Sequence, residues 1–409
     1  MRKEVEVRRK IFLVVIISVV FFSLSCWWVF AKSKKDDFYR ELDLLGEAFS
    51  VIEKKYVEEK STKDLIYGAI AGMMRALDSY SQFLKPEDYR ELLVETEGEF
   101  GGLGIEITIK DGLLTIVSPI EDTPAYRAGL EPGDIIVKIE GKLTKGITLQ
   151  EAVKKLRGKP GTKVTITVLK EKSKQMKDIT ITRDIIKIND VKRAVVLGDE
   201  IGYIKLLEFR EGTAKELDKA LEKLKKKNIK GLILDLRNNP GGLLISAVEV
   251  ASRFLPTGEV VVSTKSRDGE SLSYKAFSCK TKILKIPMVV LINGGSASGS
   301  EIVAAALREN KRAILLGEKS FGKASVQSVV PLFDGSALRI TTAKYYTPSG
   351  KSIHQNGIEP DILVPSKEVS PQEDIFEKIE KEKEGFNYRK DYQIIRALDL
   401  IRGLIILSS

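Results

Sequence analysis

The chain has 409 residues, a length that fits two or three folded domains. Its composition, 43% apolar and 30% charged residues, excludes a disordered chain and a polytopic membrane protein. The formal net charge of +10 is concentrated at the start, because residues 1–35 carry eight Lys or Arg and only two acids. No basic patch with interleaved aromatic residues remains elsewhere, so nucleic-acid binding is not expected. The two cysteines, Cys26 and Cys279, do not indicate a disulfide framework.

The segment Ile11–Ala31 is apolar and long enough to cross a bilayer as a helix. Five basic residues precede it, and Trp27 and Trp28 lie near its far end, as interfacial aromatic residues do. The positive-inside rule therefore predicts that residues 1–35 form a cytoplasmic tip and a single-pass anchor in the inner or plasma membrane, with the rest of the chain on the periplasmic or extracytoplasmic side. A cleaved signal peptide is the alternative, but Trp27, Trp28 and Phe30 make a poor cleavage site.

Four further regions follow the apolar segment. Apolar residues recur every three or four positions in 36–97, which predicts an N-terminal helical region. Residues 98–183 contain short alternating runs separated by turn signals, which predicts a small α+β domain of five or six strands. In 184–365, continuous apolar runs such as Gly231–Arg237 alternate with helices, which predicts βαβ units and a parallel sheet. Residues 366–409 form a charged helical tail whose amphipathic end either packs on the core or joins a homodimer.

The chain has one histidine, His354, which excludes an HExxH zinc helix and a His-rich metal cluster. His354 lies in a polar loop with no evident orienting partner, so a Ser–His–Asp triad has little support. A hydrolase that uses His354 as its base stays as one alternative, and it predicts that His354→Ala abolishes activity.

The segment Asn293–Glu301 (NGGSASGSE) follows an apolar strand and opens a helix. Two glycines permit a tight turn, and a serine held there lies at a helix N-terminus, where backbone N–H groups favour an oxyanion. A nucleophile elbow places its serine in the same way, on a sharp turn between a strand and a helix, although its usual sequence pattern G-x-S-x-G is absent here. The alternative is that Ser296, Ser298 or Ser300 only caps the helix.

A serine nucleophile needs a base, and lysine is the remaining residue type when histidine is scarce. Lys323 lies between Gly322 and the apolar strand Val326–Leu332, where burial would lower its pKa and favour the neutral amine. Gln327 follows four residues later and would orient the amine if both residues share a strand face. The alternative is an ordinary lysine at a strand edge.

A third segment, Leu234–Leu244 (LDLRNNPGGLL), ends a buried strand in a polar turn before a helix. The amides of Gly241 and Gly242 in this turn would be exposed to a developing oxyanion. The alternative is a plain βα turn, since such turns favour these residues.

Together, and in this order, the three segments resemble the carboxyl-terminal processing proteases, which are tail-specific Ser–Lys peptidases. The matching sequences are DLRNNPGG, NGGSASGSEI, GEKSFGKASVQ and TAKYYTPSGKSIHQNGIEPDI. The resemblance implies an α/β protease core of the ClpP/crotonase-like βαβ type, an inserted PDZ-like α+β domain, an N-terminal helical region and one N-terminal transmembrane helix. Two positions depart from the family pattern, since Gly299 stands where Ala is frequent and Tyr80 where His is usual, and neither is expected to touch the dyad.

The resemblance also implies roles for individual residues. Ser298 is the nucleophile, Lys323 the general base and Gln327 its orienting partner. The oxyanion is held by the amide of Gly299 and by one from the turn at Gly241 and Gly242. The residues expected to bind a substrate carboxylate in the PDZ-like domain are Phe100, Gly101, Gly102, Leu103, Gly104 and Ile105.

These assignments predict a serine-type endopeptidase, a C-terminal processing peptidase that cleaves the tails of envelope or periplasmic proteins after its PDZ domain captures them. No metal or other cofactor is expected. The expected partners are protein substrates bound through their C-termini, the membrane through the anchor, and a second copy in a homodimer. A non-catalytic PDZ scaffold is the alternative from another class, and tail binding without turnover would support it.

Overall fold

The computed structural model describes residues 39–198, 200–366 and 386–408. The chain divides after Ser79 into two compact units. The predicted anchor at Ile11–Ala31 lies outside the described residues, and none of the helices within them has the length and apolar character needed to cross a membrane.

The described part of the first unit consists of two helices, α1 (39–55) and α2 (Thr62–Arg75). Ser61 caps α2, because its hydroxyl accepts the N–H of Asp64 at 3.0 Å and so satisfies an amide of the first turn. Both helices fall in the segment for which the sequence predicts helices.

The second unit contains a small antiparallel sheet of six strands with two helices. Its elements and those that lead into it are β1 (Gln82–Leu84), α3 (Pro86–Glu97), β2 (Glu99–Gly102), β3 (Ile105–Lys110), β4 (Leu113–Pro119), α4 (Pro124–Arg127), β5 (Ile135–Ile139), β6 (Lys142–Leu143), α5 (Leu149–Leu156), β7 (Lys163–Leu169) and β8 (Met176–Thr182). The strand order is β3-β4-β5-β7-β8, with β6 beside β5, so β3 lies at an edge. Alternating residues such as Val164, Ile166 and Val168 are fully buried and form a core separate from the rest of the chain.

The remaining elements build a larger α/β core. They are β9 (Asp184–Lys187), β10 (Val191–Leu197), β11 (Ile201–Leu206), α6 (Thr213–Lys225), β12 (Gly231–Asp235), α7 (Leu244–Ser252), β13 (Val260–Ser266), β14 (Ser271–Lys275), β15 (Met288–Ile292), α8 (Gly299–Glu309), β16 (Ile314–Gly317), β17 (Ser325–Pro331), β18 (Ala337–Tyr346), β19 (Ile362–Leu363), a 3-10 helix (Tyr388–Lys390) and α9 (Tyr392–Ser408). One sheet has the order β10-β11-β12-β15-β16-β19, and its strands are parallel except for the pair of β10 and β11.

Helices cover both faces of this sheet, which explains why its strands are continuously apolar. Leu232 and Leu234 of β12 pack in one core with α6, α7 and α8. Ile233, which points the other way, packs in a second core with Ile394 and Ile401 of α9. The amphipathic end of the tail therefore packs on the sheet, which is one of the two outcomes expected from the sequence.

A second, antiparallel sheet has the order β1-β18-β13-β14, and β17 pairs with the opposite side of β18. The short ribbon formed by β2 and β9 stands apart from both larger sheets. The long strand β18 thus joins the start of the unit to the segments that follow α8.

The sequence predictions of the parallel core are confirmed. The run Gly231–Arg237 contains β12, the apolar strand expected before Asn293–Glu301 is β15, and the helices α6, α7 and α8 alternate with the strands as expected. The strands β13 and β14 were not predicted, because exposed polar residues dominate β14 and give it no clear alternation.

The packing of α9 can be tested with Ile401, which is completely buried and whose side chain would lie 2.2 Å from a methyl group added at Gly231. We expect Ile401→Ala to lower the free energy of unfolding by about 2–5 kcal/mol, because it leaves a cavity between α9 and β12. Ile406 lies on the same helix but is 75% exposed, so Ile406→Ala should change stability by less than about 0.5 kcal/mol. Equal urea midpoints for the two variants would contradict this packing.

Candidate active site

The turn between β15 and α8 holds Ser298 in an unusual backbone conformation. Ser298 is the N-cap of α8 and has φ 53° and ψ −111°, a combination that costs energy for any residue with a side chain. Such strain persists only where surrounding contacts hold the backbone in place. The hydroxyl is thereby presented at the N-terminus of a helix of 11 residues.

The three serines of this turn have different roles. Ser296 is completely buried and its hydroxyl donates to Leu236 O at 2.8 Å. Ser300 is also completely buried and donates to Asn239 O at 2.9 Å. Ser298 is the only one of the three that is partly exposed, so it is the serine that a substrate can reach.

The buried carboxylate of Glu301 joins this turn to the segment that contains Lys323. One oxygen, Oε2, accepts the backbone N–H groups of Ser298 and Lys323, each at 2.9 Å. The other, Oε1, accepts the N–H of Gly322 at 2.7 Å and the hydroxyl of Ser320 at 2.6 Å. Because one oxygen serves both amides, the backbones of Ser298 and Lys323 lie within two hydrogen-bond lengths of each other.

The charge state of Glu301 follows from burial and from its donors. Burial raises the pKa of the carboxyl, whereas the hydroxyl of Ser320 and three backbone N–H groups oppose that rise. Ser320 accepts the N–H of Ile358 at 2.7 Å, so its own proton points to Glu301. All four contacts thus donate into the carboxyl, which is the pattern that a carboxylate requires.

Lys323 is partly buried, and its amine lies over the ring of Tyr80, with Nζ 5.0 Å from the ring centroid. Burial, and then the charge of Arg339, lower the pKa of this amine and favour its neutral form. No hydrogen bond between Lys323 Nζ and Ser298 Oγ is formed within the described part of the chain. The expectation that Tyr80 does not touch the dyad is wrong, because the amine rests on its ring.

Gln327 lies on β17, beside the segment that carries Lys323. Its Nε2 donates to Thr341 Oγ1 at 2.8 Å, and its Oε1 is buried with no hydrogen-bond donor among the described residues. In this conformation Gln327 therefore does not bind Lys323. An unsatisfied buried carbonyl has a strong tendency to accept an N–H donor such as an amine that moves within reach.

The turn after β12 packs directly against Ser298. A methyl group added at Gly241 would lie 2.7 Å from Ser298 Cβ and 2.7 Å from Gly299 N. The Gly241 amide donates to Asn239 Oδ1 at 2.9 Å, so it is not available to an oxyanion in this conformation. The amides of Gly242 and Gly299 have no acceptor among the described residues. Two of the three predicted donors are therefore available to an oxyanion.

The start of the same turn is fixed by a buried ion pair. Arg237 donates to both oxygens of Asp235, at 3.0 and 2.7 Å, and also to Asp391, at 3.1 and 2.8 Å. Burial disfavours the charged form of Asp235, but the hydrogen bonds and charge of Arg237 hold its pKa below the ordinary value. The turn that faces Ser298 is therefore anchored to the segment at the start of α9.

His354 lies in a loop that packs on Gly322, because Gln355 N donates to Gly322 O at 2.8 Å. The Nδ1 atom of His354 is buried and has no hydrogen-bond partner within the described part of the chain. No hydrogen bond to Ser298 is formed, so the geometry gives no support to His354 as the base.

The residues predicted to bind a carboxylate fall into two groups. Phe100, Gly101 and Gly102 belong to β2, in the ribbon with β9. Leu103 and Gly104 lead into the edge strand β3, and their amides have no acceptor among the described residues. The side chain of Leu103 is only 2% exposed and belongs to the core, so only its backbone can meet a ligand.

The sequence interpretation missed several residues that surround Ser298 and Lys323. Glu301 was detectable, because Ser-x-x-Glu at a helix start is a capping-box pattern. Tyr345 is 2% exposed, and burial raises the pKa of its phenol well above the ordinary value. The charge of Glu301 also raises this pKa, whereas the Ser298 hydroxyl lowers it. Tyr80 precedes β1 and lies far from Lys323 in sequence, and Arg339 lies on β18, the hairpin partner of β17; no local pattern indicates that either acts on Lys323.

Family models match three parts of the chain. Residues 200–364 match the model of Peptidase family S41, residues 115–170 match a PDZ domain, and residues 29–88 match the Activating protease CtpB N-terminal domain. The chain is therefore a serine peptidase that carries a PDZ domain.

Curated relatives identify the family more closely. A carboxy-terminal-processing protease of Bartonella bacilliformis is 46% identical over 332 residues, which are 80% of this chain and 75% of the relative. A carboxyl-terminal-processing protease of Picosynechococcus sp. is 38% identical over 355 residues, which are 81% of this chain and 85% of the relative. This chain belongs to the carboxy-terminal processing proteases of peptidase family S41. A solved S41 protease from Bacteroides fragilis, 17% identical with a TM-score of 0.50 and covering 87% of this chain and 97% of its own, agrees in fold.

The role of Glu301 can be tested by Glu301→Gln, which keeps the shape but turns one acceptor into an N–H₂ group that faces donors. We expect the free energy of unfolding to fall by about 1–3 kcal/mol, because buried amides lose their acceptor, and peptidase activity to fall because the backbones of Ser298 and Lys323 separate. Glu222 is exposed on α6, so Glu222→Gln is the matched control and should leave both quantities unchanged. Parent-like stability and activity in the Glu301 variant would contradict the role assigned to the carboxylate.

Proposed function

We propose that the chain cleaves the C-terminal tails of proteins with a catalytic dyad of Ser298 and Lys323. The observation that carries this proposal is the carboxylate of Glu301, which holds the backbone amides of both residues on one oxygen atom. Burial of Lys323 further supports it, since a lysine acts as a base only when its amine is neutral.

In the proposed reaction, Ser298 Oγ attacks the carbonyl carbon of the scissile peptide while its proton passes to the neutral amine of Lys323. The tetrahedral adduct carries an oxyanion, which the amides of Gly299 and Gly242 stabilise. The C–N bond then breaks as Lys323 returns the proton to the leaving amine, and an acyl-enzyme remains. Water gives a proton to the same amine as its oxygen attacks the acyl carbon. The bond between that carbon and Ser298 Oγ then breaks, Lys323 returns the proton to Oγ, and the new C-terminus is released.

The arrangement described above is a resting one. The Lys323 amine lies over Tyr80, and Gln327 Oε1 has no donor among the described residues. In the working state, Lys323 turns from the Tyr80 ring towards Ser298 and donates one N–H to Gln327 Oε1. This movement satisfies a buried acceptor that is otherwise unpaired.

Substrate tails are captured by the PDZ domain. The edge strand β3 has a free side within the described part of the chain, so an extended tail can pair with it as an additional strand. The unpaired amides of Leu103 and Gly104 supply donors for a terminal carboxylate, and Ile105 begins the strand. Phe100, Gly101 and Gly102 then serve to join this loop to the ribbon of β2 and β9.

The cellular setting is part of the same proposal. The apolar run Ile11–Ala31 and the basic residues before it support a single-pass anchor in the inner or plasma membrane, with periplasmic or other envelope proteins as substrates. A homodimer through the N-terminal region is included, because Leu42, Leu45 and Ile52 are exposed at helical spacing on α1.

Replacement of each member of the dyad tests the proposed function. We expect Ser298→Ala and Lys323→Ala each to reduce kcat/KM for an unfolded protein substrate by at least about a thousandfold, because nucleophile and base act as a unit. His354→Ala is the matched control and should keep parent activity. Parent-like cleavage by either dyad variant, or loss of activity in the His354 variant, would refute the dyad.

The pH dependence of kcat/KM tests the protonation state of Lys323. The neutral amine is the active form, so activity should rise with pH through the pKa of Lys323 and be lost as the pH falls below it. Since burial and Arg339 lower this pKa, half-maximal activity should fall at a pH below 10.5, the ordinary value for lysine. A profile that reaches half-maximal activity only at or above pH 10.5 would contradict a lowered pKa for Lys323.

A further inference from the structure

Arg339 is a cation without an anionic partner beside the proposed base. Its Nη2 donates to Gln82 Oε1 at 3.2 Å, and its Nε is buried with no acceptor among the described residues. No carboxylate of the described chain lies at ion-pair distance from its guanidinium. Arg339 is only partly buried, but its buried Nε leaves a cationic group without the anionic partner that such groups ordinarily have.

The side chains of Arg339 and Lys323 both contact the short segment 80–82. Gln82 of β1 lies directly opposite Arg339 of β18, and Thr341 N donates to Ser81 Oγ at 3.3 Å, so residues 80–82 run beside this part of β18. Arg339 binds the Gln82 end of this segment, and the Lys323 amine lies over the Tyr80 end. Two residues of chain span at most about 7 Å, so the groups that contact Tyr80 and Gln82 lie close enough for two charges to interact where water is partly excluded.

Opposite residues on neighbouring strands point to the same face, and this applies to β17 as well. Val329 lies opposite Arg339, and Gln327 lies opposite Thr341, whose hydroxyl it binds. Arg339 therefore shares a face with Gln327, the residue predicted to orient the base.

We propose that Arg339 is a positioning residue that keeps the Lys323 amine deprotonated by like-charge repulsion. A proton on Lys323 would create a second positive charge next to a guanidinium that has no anion to neutralise it. The neutral amine avoids this repulsion and is the form that can accept the proton of Ser298. The inference rests on the proposed function of Lys323 as general base.

The other groups that face Lys323 have different effects on the protonation of its amine. The ring of Tyr80 attracts an ammonium and so favours the protonated form. The carboxylate of Glu301 binds the backbone N–H of Lys323, and four donors share its charge. The phenol of Tyr345 is kept neutral by burial. Arg339 is thus the one charged side chain in this group that opposes protonation, in line with the lowered pKa of Lys323.

The test compares Arg339→Gln, which removes the charge but keeps an amide for Gln82, with Arg339→Lys, which keeps the charge. For Arg339→Gln, we expect kcat/KM at neutral pH to fall by about threefold to tenfold and the rising limb of the pH profile to move to higher pH, with parent activity recovered at the alkaline end. Arg339→Lys should follow the parent profile. Arg396 is exposed and pairs with Asp399 on α9, so Arg396→Gln removes the same charge at a remote position and should change nothing.

Two results would overturn the inference: an Arg339→Gln profile that superimposes on the parent, or one reduced by the same factor at every pH, as a structural role would give. If Arg339→Gln does not fold, Arg339→Met keeps the aliphatic stem and is measured in its place against the same two outcomes. Parallel assays of Ser298→Ala and Lys323→Ala separate the two hypotheses. If both are inactive and the Arg339→Gln profile does not move, only the role of Arg339 is wrong; if either is active, the dyad fails and this inference with it.

Discussion

The arrangement of the active site depends on one carboxylate that accepts four hydrogen bonds. Glu301 lies in the first turn of α8 and is completely buried, and it joins the strained turn at Ser298 to the segment from Ser320 to Lys323. A buried charge is costly unless every lone pair finds a donor, and here backbone amides supply most of them. Because amides cannot rotate away as side chains do, the carboxylate sets the position of two backbones at once. The unfavourable φ of Ser298 is held in place by these bonds.

A second set of contacts joins the turns that follow β12 and β15. Asn293 Nδ2 donates to Asn238 Oδ1 and Asn238 N donates to Asn293 Oδ1, both at 2.9 Å. Ala297 N donates to Asn239 O at 3.1 Å, next to the turn that contains Gly242. The two turns leave neighbouring parallel strands at the same edge of the sheet, so the fold itself brings a hydroxyl and free amides together.

The sequence was sufficient for the parallel core and for the three segments that meet in the site. Buried parallel strands are continuous apolar runs, and glycine-rich turns mark their ends, so β12, β15 and the start of α8 could be located from local pattern. Tyr80 could not be connected to Lys323, because it is brought there by the pairing of β1 with β18, and a register between strands far apart in sequence has no local signal. Which of the two turn amides is available also escaped prediction, since Gly241 looks equivalent to Gly242 in sequence and differs only by its bond to Asn239.

The position of α9 has a consequence for the order in which the molecule matures. This helix covers one face of the parallel sheet. Asp391 precedes the helix and accepts two hydrogen bonds from Arg237, which lies at the start of the turn beside Ser298. The ribosome makes α9 after every strand that it covers, so the nascent chain exposes that sheet face and lacks the contact of Asp391 with Arg237 until the segment that contains Ile401 has left the ribosome. The contact that fixes the turn beside Ser298 is therefore among the last to form when the molecule is synthesised.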